Sequence, residues 1–372
     1  MKIAVDAREI ERESTGVGRY LSEILKNWDT AFFRGHDVTL YFKTRVPDLS
    51  FLEERRVRSA HFGPDACPDL WWEQMLLPRR LKEDHIDVFW GAGGSCSRAR
   101  GGWKNVVNIY DLTFFVDPCW FSAREALVRR WKTAVSAHRA DRLITLSDAT
   151  TKDLGRFLSV PGARVSRIYA GADHVPENGC AKVRPAGTPR GRVLFVGSLL
   201  NRRPVENLLR AVAALKDCYP ALSLTVVGDN RTRPRKDFEA LARDLGVGDR
   251  VRFRGYVDES ELRAAYGEAD LFCYPSLYEG FGIPVVEAQR RGLPVLTLKN
   301  SSLVEIAGDS VHYAAGSGAA EISSAMETLL ADPRYCDDLE RRGLENARRF
   351  RWSEAARAVQ TVLEGSLYNR IP

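Results

Sequence analysis

The sequence predicts an α/β protein made of two doubly wound domains. Three observations carry this expectation. Short apolar runs rich in β-branched and aromatic residues alternate with stretches of helical period through both halves, the pattern of a parallel sheet covered by helices. The length, 372 residues, leaves room for two hydrophobic cores. From Pro176 to Gly191 the chain turns to Pro, Gly and polar residues without periodicity, which marks a boundary. The expected division is a first domain over 1–175, a linker over 176–191, a second domain over 192–350 and a terminal helix over 351–372.

Composition narrows the function classes. Hydrophobic content of 44% and charged content of 28% are those of an ordinary soluble protein. The net charge of +6 suits an anionic ligand or an anionic membrane surface without requiring nucleic acid. No aromatic-and-basic nucleic-acid signature is present. The seven cysteines are odd in number and none has metal-ligand spacing, which reads as a reduced, cytoplasmic chain. Met1 to Asp6 reads as a first strand, not a signal peptide. No apolar run nears the roughly 20 residues of a spanning helix, so any membrane contact is expected to be peripheral.

The first half reads in order as follows. Lys2 to Ala7 is a buried strand. A long loop follows, carrying Gly16 and Gly18, and then a helix with Tyr20, Ile24 and Leu25 on one face. The dinucleotide fingerprint's third glycine is missing, which speaks against a nicotinamide site. Val38 to Phe42 is a second strand. The paired Trp71 and Trp72 open a helix and read as packing, and Asp87 to Trp90 is a third strand. Val106 to Asp111 is a strand that ends in an acid. Leu127, Trp131 and Val135 recur at i, i+4 and i+8 and predict an amphipathic helix that covers a core. The accompanying Arg124, Arg129, Arg130 and Lys132 leave a basic, membrane-facing helix as the alternative. Arg142 to Ser147 is a strand, with Ser147 or Asp148 capping the next helix, and Arg167 to Tyr169 is the last strand of this half.

In the second half Arg192 to Gly197 is a buried strand. Ser198 to Pro204 follows, and a helix runs from about Pro204 to Lys216. Arg202 and Arg203 sit at its N-terminus, where each cation costs ~0.3–1 kcal/mol against the macrodipole unless an anion is bound. Two solvated surface arginines are the alternative. Strands follow at Leu222–Asp229 and Val251–Val257. Ala269 to Tyr274 is a further buried strand, and Leu293–Thr297 another. Ser301 to Glu305 starts a short helix, and Glu321 to Leu367 is helical by period.

The most informative stretch is Ser276-Leu277-Tyr278-Glu279-Gly280-Phe281-Gly282-Ile283-Pro284-Val285-Val286-Glu287. It follows a buried strand, and Pro284 suits the first turn of a helix. This is therefore a strand-to-helix loop at the carboxyl end of a strand, where open α/β sheets bind ligands. Gly280 and Gly282 let the backbone approach a ligand, and amides at a helix start suit an anion. Glu279 and Glu287 accept bonds from hydroxyls. Amides for a phosphate and carboxylates for hydroxyls together suit a sugar nucleotide.

This string closely resembles the donor-binding motif of the retaining glycosyltransferases of family four (group 1), which have the GT-B fold: two Rossmann-like domains facing a central cleft. The resemblance covers nearly the whole chain and is most specific from Val193 to Asp309. It implies that Glu279 and the backbone of Gly280, Phe281, Gly282 and Ile283 face the donor sugar and diphosphate, and that Glu287 holds the ribose. Arg202 matches the arginine of the family's Arg-Lys diphosphate pair. Arg203 stands in place of the lysine, an exchange of a point charge for a planar fork. Ser198 stands where some members carry another arginine. Gly16 and Gly18 match a loop near the diphosphate, Tyr256 and Val257 a nucleobase loop, and the terminal helix one that crosses back to the first domain. Tyr110 replaces the family's sugar-contacting histidine, and Asp111 is the candidate for the acceptor hydroxyl.

The reaction implied is transfer of a hexose, with mannose from GDP-mannose favoured, to a hydroxyl of a saccharide or lipid-linked acceptor in polysaccharide biosynthesis. Arg202, Arg203, Glu279 and Asp111 are the expected catalytic groups. No cofactor and no metal are expected. A sugar-nucleotide epimerase on the same fold, or a catalytically inactive binding protein, stays open as an alternative.

Overall fold

Runs that are apolar on both faces become interior parallel strands, because helices cover each side of such a sheet. The computed structural model describes residues 1–11, 16–52, 55, 57–64, 67–177 and 190–368. Among the described residues one sheet comprises β1 (Lys2–Asp6), β2 (Asp37–Phe42), β3 (Val57–His61), β4 (Val88–Gly91), β5 (Lys104–Ile109), β6 (Arg142–Thr145) and β7 (Val165–Arg167). Their order is β3-β2-β1-β4-β5-β6-β7, with every pairing parallel. The other comprises β8 (Arg192–Val196), β9 (Ser223–Val227), β10 (Val251–Arg254), β11 (Leu271–Tyr274), β12 (Val295–Leu298) and β13 (His312–Ala314). It runs β10-β9-β8-β11-β12-β13 and is likewise parallel. Each order reverses once, between β1 and β4 and between β8 and β11. Those switch points are where open sheets bind ligands, outside the carboxyl ends of the strands.

The chain divides into two units. One comprises Met1–Val116, Arg124–Gly171 and Arg351–Pro372; the other comprises Asp117–Ala123 and Ala172–Phe350. Residues 117–123, read from sequence with the first domain, thus belong with the second sheet. The expected linker lies largely at 178–189, outside the described residues. The Trp352–Tyr368 helix packs within the first unit, where Trp352 meets Tyr20 edge-on at 5.7 Å.

Several local expectations are corrected. Gly16 and Gly18 lie in a helix, Gly16–Lys26, and not in a loop. A short helix, Arg8–Glu11, occupies part of the stretch expected to be loop, and residues 12–15 lie outside the described residues. β3 went unread because its sequence, VRSAH, has no apolar run and sits largely exposed. The tryptophan pair splits: Trp72 is buried and donates Nε1–H to the Phe62 carbonyl at 2.7 Å, whereas Trp71 is exposed.

The Ala123–Arg139 helix departs most. Leu127, Trp131 and Val135 were expected to cover a core. Instead Ala126, Thr133, Ser136 and Ala137 are buried, Val135 is half-buried, and Leu127 is 69% exposed. Polar docking outweighs the apolar stripe here. Ser136 Oγ accepts from the Cys96 amide at 3.1 Å, and Lys132 pairs with the buried Glu73 at 2.8 Å.

Candidate functional site

The two loops singled out in the second half leave adjacent strands, β8 and β11, at the switch point. The Leu277 amide donates to the Arg202 carbonyl at 2.9 Å and ties the loops together. Arg203 is not a solvated surface residue; it is 9% exposed. Its Nε donates to Glu279 Oε1 at 2.7 Å and its Nη1 to the Ser198 carbonyl at 2.9 Å. Its guanidinium also lies over the Tyr274 ring, 5.1 Å from the centroid. Arg202 donates Nε to the Tyr278 carbonyl at 3.0 Å and Nη2 to Glu279 Oε2 at 3.4 Å.

Glu279 therefore anchors both guanidiniums. Its Oε1 also accepts from the Tyr274 hydroxyl and from Ser276 Oγ, each at 2.8 Å. Burial alone would raise its pKa. The charges of Arg203 and then Arg202, with bonds from Ser276 and Arg203, outweigh burial and bring it down to about 2. With Oε1 already accepting several bonds, the carboxylate's main work in this arrangement is to hold two like charges side by side.

A third loop buttresses the motif. Ser301 Oγ accepts from the Glu279 amide at 2.9 Å. Ser302 Oγ bonds the carbonyls of Glu279 and Phe281 at 2.8 and 2.9 Å, and Asn300 Nδ2 bonds that of Ser276 at 2.9 Å. Ser301 itself sits at φ +41°, a left-handed conformation that costs a non-glycine residue on the order of 1 kcal/mol or more. Phe281 is buried edge-on to Phe350 at 5.5 Å.

Gly282 adopts φ +106° and caps the Ile283–Arg290 helix with no side-chain bond, and Pro284 lies in the first turn. That first turn carries no acidic side chain, so its dipole end is left available to an exogenous anion. Glu287, also buried, accepts from the Tyr266 hydroxyl and pairs with His174 Nε2, both at 3.1 Å.

The remaining expected residues have these surroundings within their own units. Tyr256 is 64% exposed on the loop after β10, and Val257 packs against the second core. In the first unit, burial pushes the Tyr110 phenol well up. Its hydroxyl donates to the Ala92 carbonyl at 2.6 Å and accepts from Asn108 Nδ2 at 3.4 Å. Asp111 Oδ1 accepts from the amide and hydroxyl of Thr113 at 3.1 and 2.6 Å, a local turn. Sequence reasoning missed Tyr274, Ser276, Asn300, Ser301, Ser302, Tyr266 and His174. The first two precede or open the motif itself; His174, beside the linker, carries no periodic signal.

The chain is similar to known proteins in sequence and in fold. Residues 182–349 match the family model "Glycosyl transferases group 1", and residues 14–175 match "Glycosyltransferase Family 4". The O-antigen chain mannosyltransferase B of Escherichia coli is 26% identical over 97% of this chain and 98% of its own length. A D-inositol 3-phosphate glycosyltransferase of Corynebacterium kroppenstedtii is 31% identical over 61% of this chain, which spans about half (51%) of that protein. In fold, the chain is similar to Anabaena Alr3699/HepE, solved in complex with UDP and glucose. The TM-score is 0.71 at 17% identity, covering 98% of this chain and 99% of that one. The chain belongs to the group 1, family 4 glycosyltransferases and has the GT-B fold.

Proposed function

We propose that this glycosyltransferase moves a hexose, with mannose favoured, from a nucleotide diphosphate sugar to a hydroxyl of a saccharide or lipid-linked saccharide in polysaccharide biosynthesis. The anomeric configuration is retained and no metal is required. One observation carries the reading: Arg202 and Arg203 are locked by Glu279 in the loop after β8, hydrogen-bonded to the loop that leads into the Ile283–Arg290 helix. Breaking a glycosyl–phosphate bond moves negative charge onto the leaving diphosphate. Fixed cations and helix-start amides stabilise that charge without reorganising.

In this reading Glu287 receives the ribose hydroxyls, the exposed Tyr256 ring stacks on the base, and Asp111 meets the acceptor. The family models support glycosyl transfer, and the mannosyltransferase among the relatives supports the sugar. A lipid-linked acceptor would bring the enzyme to a membrane surface.

A thermal-shift panel of sugar nucleotides tests the donor, because a ligand bound only by the native state raises apparent stability. GDP-mannose is expected to give the largest rise. No rise with any sugar nucleotide would contradict the proposal. Product analysis without acceptor separates transfer from epimerisation.

A further inference from the structure

Glu287 lies buried in the Ile283–Arg290 helix, and a donor stands at each of its carboxylate oxygens. Tyr266, from the Glu259–Glu268 helix, gives its hydroxyl to Oε2 at 3.1 Å, and His174 Nε2 meets Oε1 at 3.1 Å. An ionised carboxylate only accepts, so the His174 proton sits on Nε2. Tyr266 is itself fixed, with the Phe272 ring 5.8 Å away and the Arg291 guanidinium 5.2 Å from its centroid. Neither donor belongs to the helix that carries Glu287. The orientation of this carboxylate is therefore set from outside its own element.

His174 reaches Glu287 from a short strap that the backbone holds in place. The Ala172 amide donates to the Phe350 carbonyl at 3.0 Å, and the Val175 amide closes a turn onto the Ala172 carbonyl at 3.0 Å. Arg290 Nε donates to the Val175 carbonyl at 2.7 Å. Arg290 follows Glu287 by three residues on the same helix, so the strap is tied to the turn that its histidine faces. Ala172 and Val175 are buried as well. These contacts anchor the strap without the imidazole, whose side chain is nonetheless only 11% exposed and turned onto a buried carboxylate.

We propose that His174 is a positioning residue for the nucleotide: it holds Glu287 in the orientation that receives the ribose hydroxyls before the nucleotide arrives. This rests on the ribose role given to Glu287 above. A glutamate side chain that must be ordered on binding subtracts that cost from affinity, and one already held does not. The gain is in binding and not in the chemical step, because bonds to the ribose are made alike in the ground state and the transition state.

The test is calorimetry of the full chain with GDP and UDP, each beside its 2′,3′-dideoxy form. His174→Asn keeps a polar side chain whose amide falls short of the Nε2 position, and His174→Gln keeps one that reaches it. His174→Asn should weaken binding of the ribonucleotide about three- to tenfold, the worth of ordering one flexible side chain. It should leave the dideoxy forms unaffected and raise KM at unaltered kcat. His174→Gln should recover most of the loss. In the Glu287→Gln background His174→Asn should cost nothing further, since the residue acts through Glu287. Unchanged affinity in His174→Asn, an equal loss for the dideoxy forms, or a full loss persisting beside Glu287→Gln would overturn the proposal. If Glu287→Gln alone leaves affinity unchanged, the ribose role itself falls; if Glu287→Gln weakens binding and His174→Asn does not, only the positioning role falls.

Discussion

Replacing Glu279 by Gln keeps the side chain's shape, removes its charge and turns one acceptor oxygen into an NH2 donor. The carboxyl is brought from 4.5 down to about 2. At about 1.4 kcal/mol per pKa unit, the native state favours the charged form by on the order of 3 kcal/mol. That sum is what two buried guanidiniums lose when their counter-charge goes, and it agrees with the ~3–5 kcal/mol typical of breaking a buried pair. For a domain of this size each kcal/mol lowers the melting temperature by about 2–4 °C, so calorimetry of Glu279→Gln should show a fall of about 6–12 °C. The pH dependence has a fixed sign. A group whose folded pKa is depressed contributes fully above its unfolded value, here about 4.5, and loses that contribution as pH falls through about 2. The gap between wild type and variant should therefore be complete at neutral pH and close below pH 4.5. Nucleoside diphosphate affinity should not fall, since the arginines keep their charge. A melting temperature within about 2 °C of wild type at neutral pH would refute the anchoring role.

Three further outcomes follow from the same geometry. Glu287→Gln should weaken nucleoside diphosphate binding by about one to two orders of magnitude, the worth of ~1.5–3 kcal/mol for bonds to a charged acceptor; unchanged affinity by calorimetry would reject the ribose role. Gly282→Ala should cost about 1–3 kcal/mol, because the residue sits at φ +106° and an added Cβ would lie 2.8 Å from Leu303 Cδ2; an unaltered melting temperature would contradict this. Tyr110→Phe should destabilise the first unit by about 1–3 kcal/mol through the stranded Ala92 carbonyl, measurable as faster hydrogen exchange in β4 and β5; exchange equal to wild type would show that this bond contributes nothing.

Both sheets were legible because their interior strands are short apolar runs such as Val193-Leu194-Phe195-Val196. Their chirality and spacing follow from βαβ connections. β3 was not legible, because an exposed edge strand needs no apolar run. The two loops proposed to hold the diphosphate were legible as neighbouring strand-to-helix turns from glycine, proline and charge at fixed offsets. The division of labour within them was not. Glu279 read as facing the donor sugar and diphosphate, and its bonds to two guanidiniums have no signature in the sequence. Arg203→Ala would strand the buried Glu279, so Arg203→Lys is the cleaner probe of turnover. The Ala123–Arg139 helix shows the limit of periodicity. A stripe of Leu127 and Trp131 marks an apolar face, but tertiary polar contacts decide which way that face turns.

The central claim is that Arg202, Arg203 and the start of the Ile283–Arg290 helix close on one pyrophosphate. A crystal soaked with a nucleoside diphosphate reads this directly. Density for the two phosphates bonded to the Arg203 guanidinium and to backbone amides between Gly280 and Ile283 is the expected result. Phosphates bound elsewhere, with Arg203 still satisfied only by Glu279 and Ser198, would contradict it.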